Sequence, residues 1–260
     1  DFLIGKPSDP YIEHRFAIAK HQIPEKIWQT EEIEAVRMTG EKVIHERQSE
    51  RDDLRDLPFV TIDGSNTQDL DDALYIEALA DQGWRLSVAI ADVSEFIDIN
   101  SPLDKIAKGQ MSSIYMPGQK VSMLPDVLSS NLCSLKAGSD RLVVICHLTI
   151  NTQGETTDTQ YQLATINNHG KLSYDEVSQV LAGDEQLYDE TIRAQLHQLH
   201  QASNALNAWR KKNALMGDDY ADYRLQLNEK GKIIAIDRSE RNSAQHLVEE
   251  CMLACNRATA

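Results

Sequence analysis

From residue 59 onward the chain alternates apolar and polar positions with a period of two. "PFVTID", "DALYIEAL" and "WRLSVAIADV" are rich in Val, Ile, Leu and aromatics, with "ADQG" as a turn between the second and third. This pattern predicts adjacent, mainly antiparallel strands over 59–99. "RLVVICHLTIN" and "ETTDTQYQLATI" around "TQG" predict a second hairpin, and "DYRLQLNEKGKIIAID" a third around "NEKG". Between and after them the period changes to that of a helix. "SPLDKIAKGQMSSIY" opens one with Ser101 as N-cap and Pro102 at the first helical position. "SYDEVSQVLAG" predicts a short helix. Residues 184–213 carry Ile192, Leu196, Leu199, Leu206 and Trp209 at helical spacing. "RNSAQHLVEECMLACNRATA" predicts a last helix burying Leu247, Val248, Cys251, Cys255 and Ala258, with Glu249 and Glu250 off its apolar stripe on a solvated face.

Other stretches are less regular. "MPGQKVSMLPDVLSSNLCSL" is too punctuated by Pro, Gly and Ser for one element and predicts an ordered loop with short helical turns. Residues 1–25, with Pro7, Pro10 and Pro24, predict a strand remnant and connecting loop. Residues 26–58 mix charges around Ile27, Ile33, Val36 and Val43, which predicts a solvated linker helix ended by Pro58. No repeat or low-complexity tract interrupts the chain. The whole predicts an α+β domain with a mostly antiparallel sheet covered by helices.

Composition narrows the classes little. The 260 residues are 41% hydrophobic and 26% charged, ordinary for a globular protein with a sizeable core. No run is apolar enough to cross a bilayer, so no membrane partner is expected. The chain starts without Met and stops inside a predicted helix, which reads as a piece of something longer. Cys133, Cys146, Cys251 and Cys255 form no CxxC pair, so a reducing cytoplasm is the expected compartment. Cys251, Cys255 and His246 together could in principle bind a metal, but buried apolar cysteines are the more ordinary reading. His197 and His200, one turn apart without a third ligand, read as surface residues. The net charge of −15 argues against a nucleic-acid partner unless divalent cations invert the local sign or basic modules lie elsewhere.

The candidate chemistry lies in "FVTIDGSNTQDLDDALYI", where Asp63, Asp69, Asp71 and Asp72 fall within ten positions directly after a strand. A solvated turn-rich loop is one reading. It fits poorly with aspartates running straight into an apolar strand, where unpaired carboxylates are costly. A calcium loop is a second, although Gln68 stands where an EF-hand needs glycine and Leu74 where it needs glutamate. A magnesium site for phosphoryl chemistry is the third. Hard cations take oxygen ligands, and one or two ions would offset the crowded charge. Strand alternation sends Asp71 and Asp72 to opposite faces, so one of them would act through water or from behind. There is no P-loop, GxGxxG, HExxH or GxSxG.

"FVTIDGSNTQDLDDAL", "VAIADVSEFI", "SPLDKIAKGQMSSIYMPGQKVSMLPDVLSSNLCSL", "KLSYDEV" and "HLVEECM" occur in the order and spacing of the RNB catalytic domain, and over roughly residues 55–260 the sequence resembles the ribonuclease II and ribonuclease R family. The resemblance implies an N-terminal part of an RNB catalytic domain at 59–260. It also implies a linker helix at 26–58 and, at 1–25, the tail of a preceding cold-shock-type (OB) RNA-binding module. It implies a monomeric, processive 3′-to-5′ exoribonuclease that hydrolyses single-stranded RNA to 5′-mononucleotides with Mg2+. Asp63, Asp69, Asp71 and Asp72 match the family's active-site, metal-binding aspartates. Tyr115 matches the tyrosine that stacks on the 3′-terminal base, Tyr174 one that contacts the RNA further from the cut, and Glu249 a glutamate near the terminal nucleotide. Each has a plainer reading: packing for the tyrosines, solvation for Glu249. Asp92 in "AIADVS" reads equally as support behind the site or as a cap on the strand exit.

Two departures stand out. The family's "SPIRRY"-like arginine motif does not occur in these residues, and Gly217 stands about where relatives carry an aromatic that clamps the terminal base, with Tyr220 as a substitute. They leave a catalytically defective, RNA-binding relative as the alternative, and they predict weak turnover by the 260 residues alone.

Overall fold

The computed structural model describes residues 3–24, 28–80, 83–213 and 222–260. Helix α1 (Ile12–Lys20) and helix α2 (Thr30–Arg47) precede a two-residue strand, β1 (Asp52–Asp53). The alternating runs then form β2 (Val60–Asp63), β3 (Asp72–Ala78) and β4 (Trp84–Ala91). Helix α3 (Pro102–Gln110) starts at Ser101, whose side chain accepts from the Asp104 backbone N–H. A small ribbon follows, β5 (Ile114–Met116) and β6 (Gln119–Val121), turning at Gly118 with φ 74°. The long hairpin β7 (Asp140–Ile150) and β8 (Thr156–Asn167), strand β9 (Gly170–Ser173), helix α4 (Tyr174–Leu181) and helix α5 (Glu190–Lys212) complete the middle. A second ribbon, β10 (Asp222–Leu227) and β11 (Ile233–Ser239), leads to helix α6 (Ser243–Thr259).

Seven strands make one sheet in the order β1-β8-β7-β4-β3-β2-β9. Its four inner pairings are antiparallel and its two outer ones parallel. The outer β2–β9 pair sets Asp63 opposite Ser173, the residue that caps α4.

Both faces of the sheet are covered, which explains why β4 reads as apolar on both parities. Leu86 and Val88 join Leu74, Ile76 and Leu148 under α4, α5 and α6, against Val177, Leu196, Leu199, Leu247 and Cys251. Ala89 and Ala91 point to the other side with Ala73, Val143, Ile145 and Ile166, where they meet Leu128, Leu132 and Leu135 of the 122–135 segment. The α+β architecture expected from the pattern is the one observed. No helix among the described residues is long and apolar enough to cross a membrane.

The differences from the sequence reading are local. Residues 12–20 form a helix, where a strand remnant and loop were expected. "IEHRFAIAK" has no period-two alternation and follows Pro10, and its helix is held from outside. Lys232 on the β10–β11 ribbon donates to Glu13 at 2.6 Å, and His14 Nε2 lies 2.7 Å from the Pro117 carbonyl. Helix α2 keeps a solvated face, where Arg37 pairs with Glu34 and Glu41, but it also packs Val36 and Ile44 on the second core. A Cβ at Gly40 would sit 2.4 Å from Leu132 Cδ1, so glycine is what allows this approach. Glu250 is not on a solvated face. It is 4% exposed and ion-paired with Arg210 of α5. All four cysteines are buried and unbridged.

The β7–β8 turn rests directly on α5. Gly154 has φ 80°, and a Cβ there would fall 1.9 Å from the Ala205 carbonyl oxygen. Gly154→Ala is therefore expected to destabilise the fold by about 2–4 kcal/mol through combined strain and clash. Urea unfolding measures this, and a loss below about 0.5 kcal/mol would contradict the close approach.

Candidate active site

Strand β2 ends at Asp63, and the loop that follows is fixed by backbone bonds to buried neighbours. Asp63 Oδ1 accepts from the Gly64 N–H at 2.6 Å and from Thr67 Oγ1 at 3.0 Å, which orients the carboxylate. Lys171 on β9 donates to the carbonyls of Ser65 and Thr67. Leu70 is 3% exposed and buried in the second core, between Asp69 and Asp71. Ser134, fully buried, holds both sides of it. Its Oγ accepts from the Leu70 N–H at 3.2 Å and donates to the Gln68 carbonyl at 2.6 Å. The Leu135 N–H donates to the Leu70 carbonyl and the Ala91 N–H to the Asp71 carbonyl. The loop is thus pinned at Asp63 and at Leu70, while Ser65, Asn66, Gln68 and Asp71 stay exposed.

This scaffold turns Asp63, Asp69 and Asp71 into one open cavity of about 890 Å3 that is also lined by Tyr115, Lys120 and Tyr174. Asp72 is not among the lining residues. It begins β3, one position after Asp71, which precedes the strand. Burial, then the charges of Asp63 and Asp71, push the Asp72 carboxyl up to about 6. Burial and the charges of Asp69 and Asp63 likewise raise Asp71. For Asp69 burial works upward, but the Tyr115 hydroxyl, the backbone and Lys120 outweigh it and hold the carboxyl below its usual range. Tyr115 donates to Asp69 Oδ2 at 2.8 Å, and burial with the surrounding carboxylates raises its own phenol to about 12. Tyr174, the first residue of α4, is pushed up to about 12 by burial, Asp63 and Asp72.

Among the described residues no ammonium or guanidinium pairs with Asp63, Asp71 or Asp72, whereas Lys120 Nζ lies 3.3 Å from Asp69 Oδ2. An acidic cavity whose candidate ligands are carboxylate, hydroxyl and carbonyl oxygens suits hard divalent cations in charge and donor type. No three His, Cys, Asp or Glu side chains among the described residues stand close enough to enclose an ion by themselves. The donor set therefore fits ions that take one or two carboxylates each and complete their shell with water and phosphate oxygens, as magnesium does.

Of the other predicted residues, Tyr115 and Tyr174 line the same cavity and Glu249 does not. Tyr115 is 68% exposed at the cavity mouth, free to present its ring. Glu249 lies away from the cavity, 2.9 Å from Arg241 and beside His246, in a depression between α5 and α6. Asp92 is a buried partner of Arg51 at 2.5 Å and also accepts from Ser94 Oγ. Gly217 and Tyr220 lie outside the described residues. Sequence reasoning missed Ser134 and Lys120. Ser134 was hidden in a stretch read as loop, and Lys120 carried no signal until its hairpin partner was known to be Tyr115.

Comparison with known proteins follows the same lines. The profile of the RNB domain matches residues 51–260. The chain belongs to the RNB domain family. Ribonuclease R of Vibrio parahaemolyticus is 39% identical over 99% of this chain and 31% of its own length. Exoribonuclease 2 of Yersinia pestis is 37% identical over 97% of this chain and 38% of its own. The chain thus spans about a third of the length of these curated relatives. The solved structure of Mycoplasma genitalium RNase R in complex with ribose methylated single-stranded RNA superposes over the whole chain and 40% of that protein, with TM-score 0.90 and 30% identity.

Two outcomes check this geometry. Ser134→Ala strands the Leu70 N–H and the Gln68 carbonyl and should cost about 1–3 kcal/mol in chemical unfolding. An unchanged midpoint would mean that Ser134 does not hold the loop. A carboxyl raised from 3.8 to about 6 opposes folding once ionised. Its contribution is therefore most favourable below pH 3.8 and is lost as the pH rises through 3.8 to about 6. Asp72→Asn should then stabilise the chelator-treated protein by about 1–2 kcal/mol at pH 7 and leave it little changed near pH 4. Equal effects at both pH values would refute the electrostatic cause.

Proposed function

We propose that this chain is the catalytic core of a 3′-to-5′ exoribonuclease that hydrolyses single-stranded RNA processively to 5′-mononucleotides with magnesium. The observation that carries the reading is the shared cavity, in which Asp63, Asp69 and Asp71 are held by backbone bonds beside the exposed ring of Tyr115. The relatives named ribonuclease R and exoribonuclease 2, and the neighbour solved with single-stranded RNA, support it. Magnesium held by these carboxylates would supply neutralising charge at the phosphodiester and lower the pKa of a bound water.

The chain's own residues have separate tasks. Asp63, Asp69 and Asp71 face the cavity and would hold the cations, while Asp72 stands behind them and adds negative charge. Tyr115 offers a stacking surface at the mouth, a contact worth about 1–3 kcal/mol per base and tolerant of sequence. Tyr174, half-buried at the start of α4, would contact RNA further from the cut. Glu249 would meet the terminal nucleotide only if that nucleotide extends toward the α5–α6 depression. A monomer in a reducing cytoplasm accords with the four unbridged cysteines.

The test uses the natural full-length protein that carries this chain, with a 5′-labelled unstructured oligoribonucleotide. Asp71→Asn should lower the cleavage rate by at least about a hundredfold while RNA affinity stays within a few-fold. Excess EDTA should stop the wild type. Full cleavage in EDTA, or an active Asp71→Asn variant, would overturn the reading.

A further inference from the structure

We infer that Lys120 is the cation that grips the RNA phosphate next to the nucleotide held on Tyr115. The inference rests on the nuclease reading above and adds a substrate contact to that site.

The placement comes from strand register. Tyr115 on β5 and Lys120 on β6 are direct cross-strand partners, so their side chains leave the ribbon on the same face, about 5 Å apart at Cβ. Both reach the same atom, Asp69 Oδ2, the hydroxyl at 2.8 Å and the ammonium at 3.3 Å. A base stacked on the ring of Tyr115 therefore has an ammonium within the span of its own nucleotide.

The charge balance gives that ammonium a task. Among the described residues the cavity lining holds five aspartates, Asp63, Asp69, Asp71, Asp126 and Asp175, and one cation, Lys120. A phosphodiester entering it meets repulsion from each of these carboxylates and attraction from Lys120. The hold of the protein on Lys120 is loose. At 3.3 Å the bond to Asp69 is long for a charge-assisted pair, and Asp126 stands at 4.0 Å. An ammonium has three donors. Were Asp69 engaged by a divalent cation, only the distant Asp126 would compete with an entering phosphate for these donors.

The test measures binding of a fluorescent oligoribonucleotide to the full-length Asp71→Asn protein in magnesium, over a series of KCl concentrations. Lys120→Met keeps the apolar stem and removes the charge, and Lys120→Arg keeps the charge. Lys120→Met should weaken binding about tenfold at physiological salt, as for loss of a charged hydrogen bond. It should also flatten the slope of log K against log salt by about 0.7, the value for one phosphate contact on a single strand. Lys120→Arg should restore the slope. In the cleaving enzyme Lys120→Met should raise KM more than it lowers kcat. If the parent binds and cleaves RNA while Lys120→Met keeps its slope and affinity, the inference falls and the nuclease reading stands. A Lys120→Arg variant as impaired as Lys120→Met would mean that the residue only tethers Asp69, and also overturns it. A parent that neither binds nor cleaves RNA removes both readings together.

Discussion

Like charges have to be kept together in a partly dry cavity, and the architecture around the site follows from that constraint. Four carboxylates within ten residues repel one another, and burial adds to the cost for Asp71 and Asp72. The opposing force is not a set of ion pairs, since among them only Asp69 has a nearby ammonium within the described residues. It is covalent and hydrogen-bonded geometry. Burial of the Leu70 side chain is worth about 2 kcal/mol. Ser134, Leu135 and Ala91 then occupy the backbone groups on either side, so the loop cannot relax outward without stranding buried polar atoms. Charge stored in this way is what the proposed divalent cations would neutralise.

The two-sided sheet makes such a loop possible. One face carries α4, α5 and α6, and the other carries the 122–135 segment that supplies Ser134 and Leu135. Small residues on that second face, Ala73, Ala89 and Ala91, let the segment lie close to the strands that end at the aspartates. Core packing and site geometry are therefore the same contacts viewed from two sides.

Much of this was legible from residue pattern alone. Period-two runs identified the hairpins, Ser101 and Pro102 marked a helix start, and the aspartate block stood out because its charges ran into an apolar strand. What stayed hidden depended on distant partners. Helix α1 is secured by the ribbon that carries Lys232, more than two hundred residues away in sequence. Glu249 and Glu250 look equivalent in the sequence, yet one step around α6 sends the second into a buried pair with Arg210. Lys120 is one lysine among many until the Pro117–Gly118 turn sets it opposite Tyr115. Local pattern reports which face of an element is apolar. It does not report what that face meets.

The parallel pairing of β2 with β9 has its own consequence. No short turn links the two strands, so their alignment is set by the pairing itself and the packing around it rather than by a hairpin. Asp63 and the capping serine of α4 nonetheless finish level with each other, which puts the floor of the cavity and its Tyr174 wall on a single ruler. Lengthening a surface loop anywhere between the two strands leaves the ruler intact. Sliding β9 by one position would flip its side chains and swing the wall away from the floor.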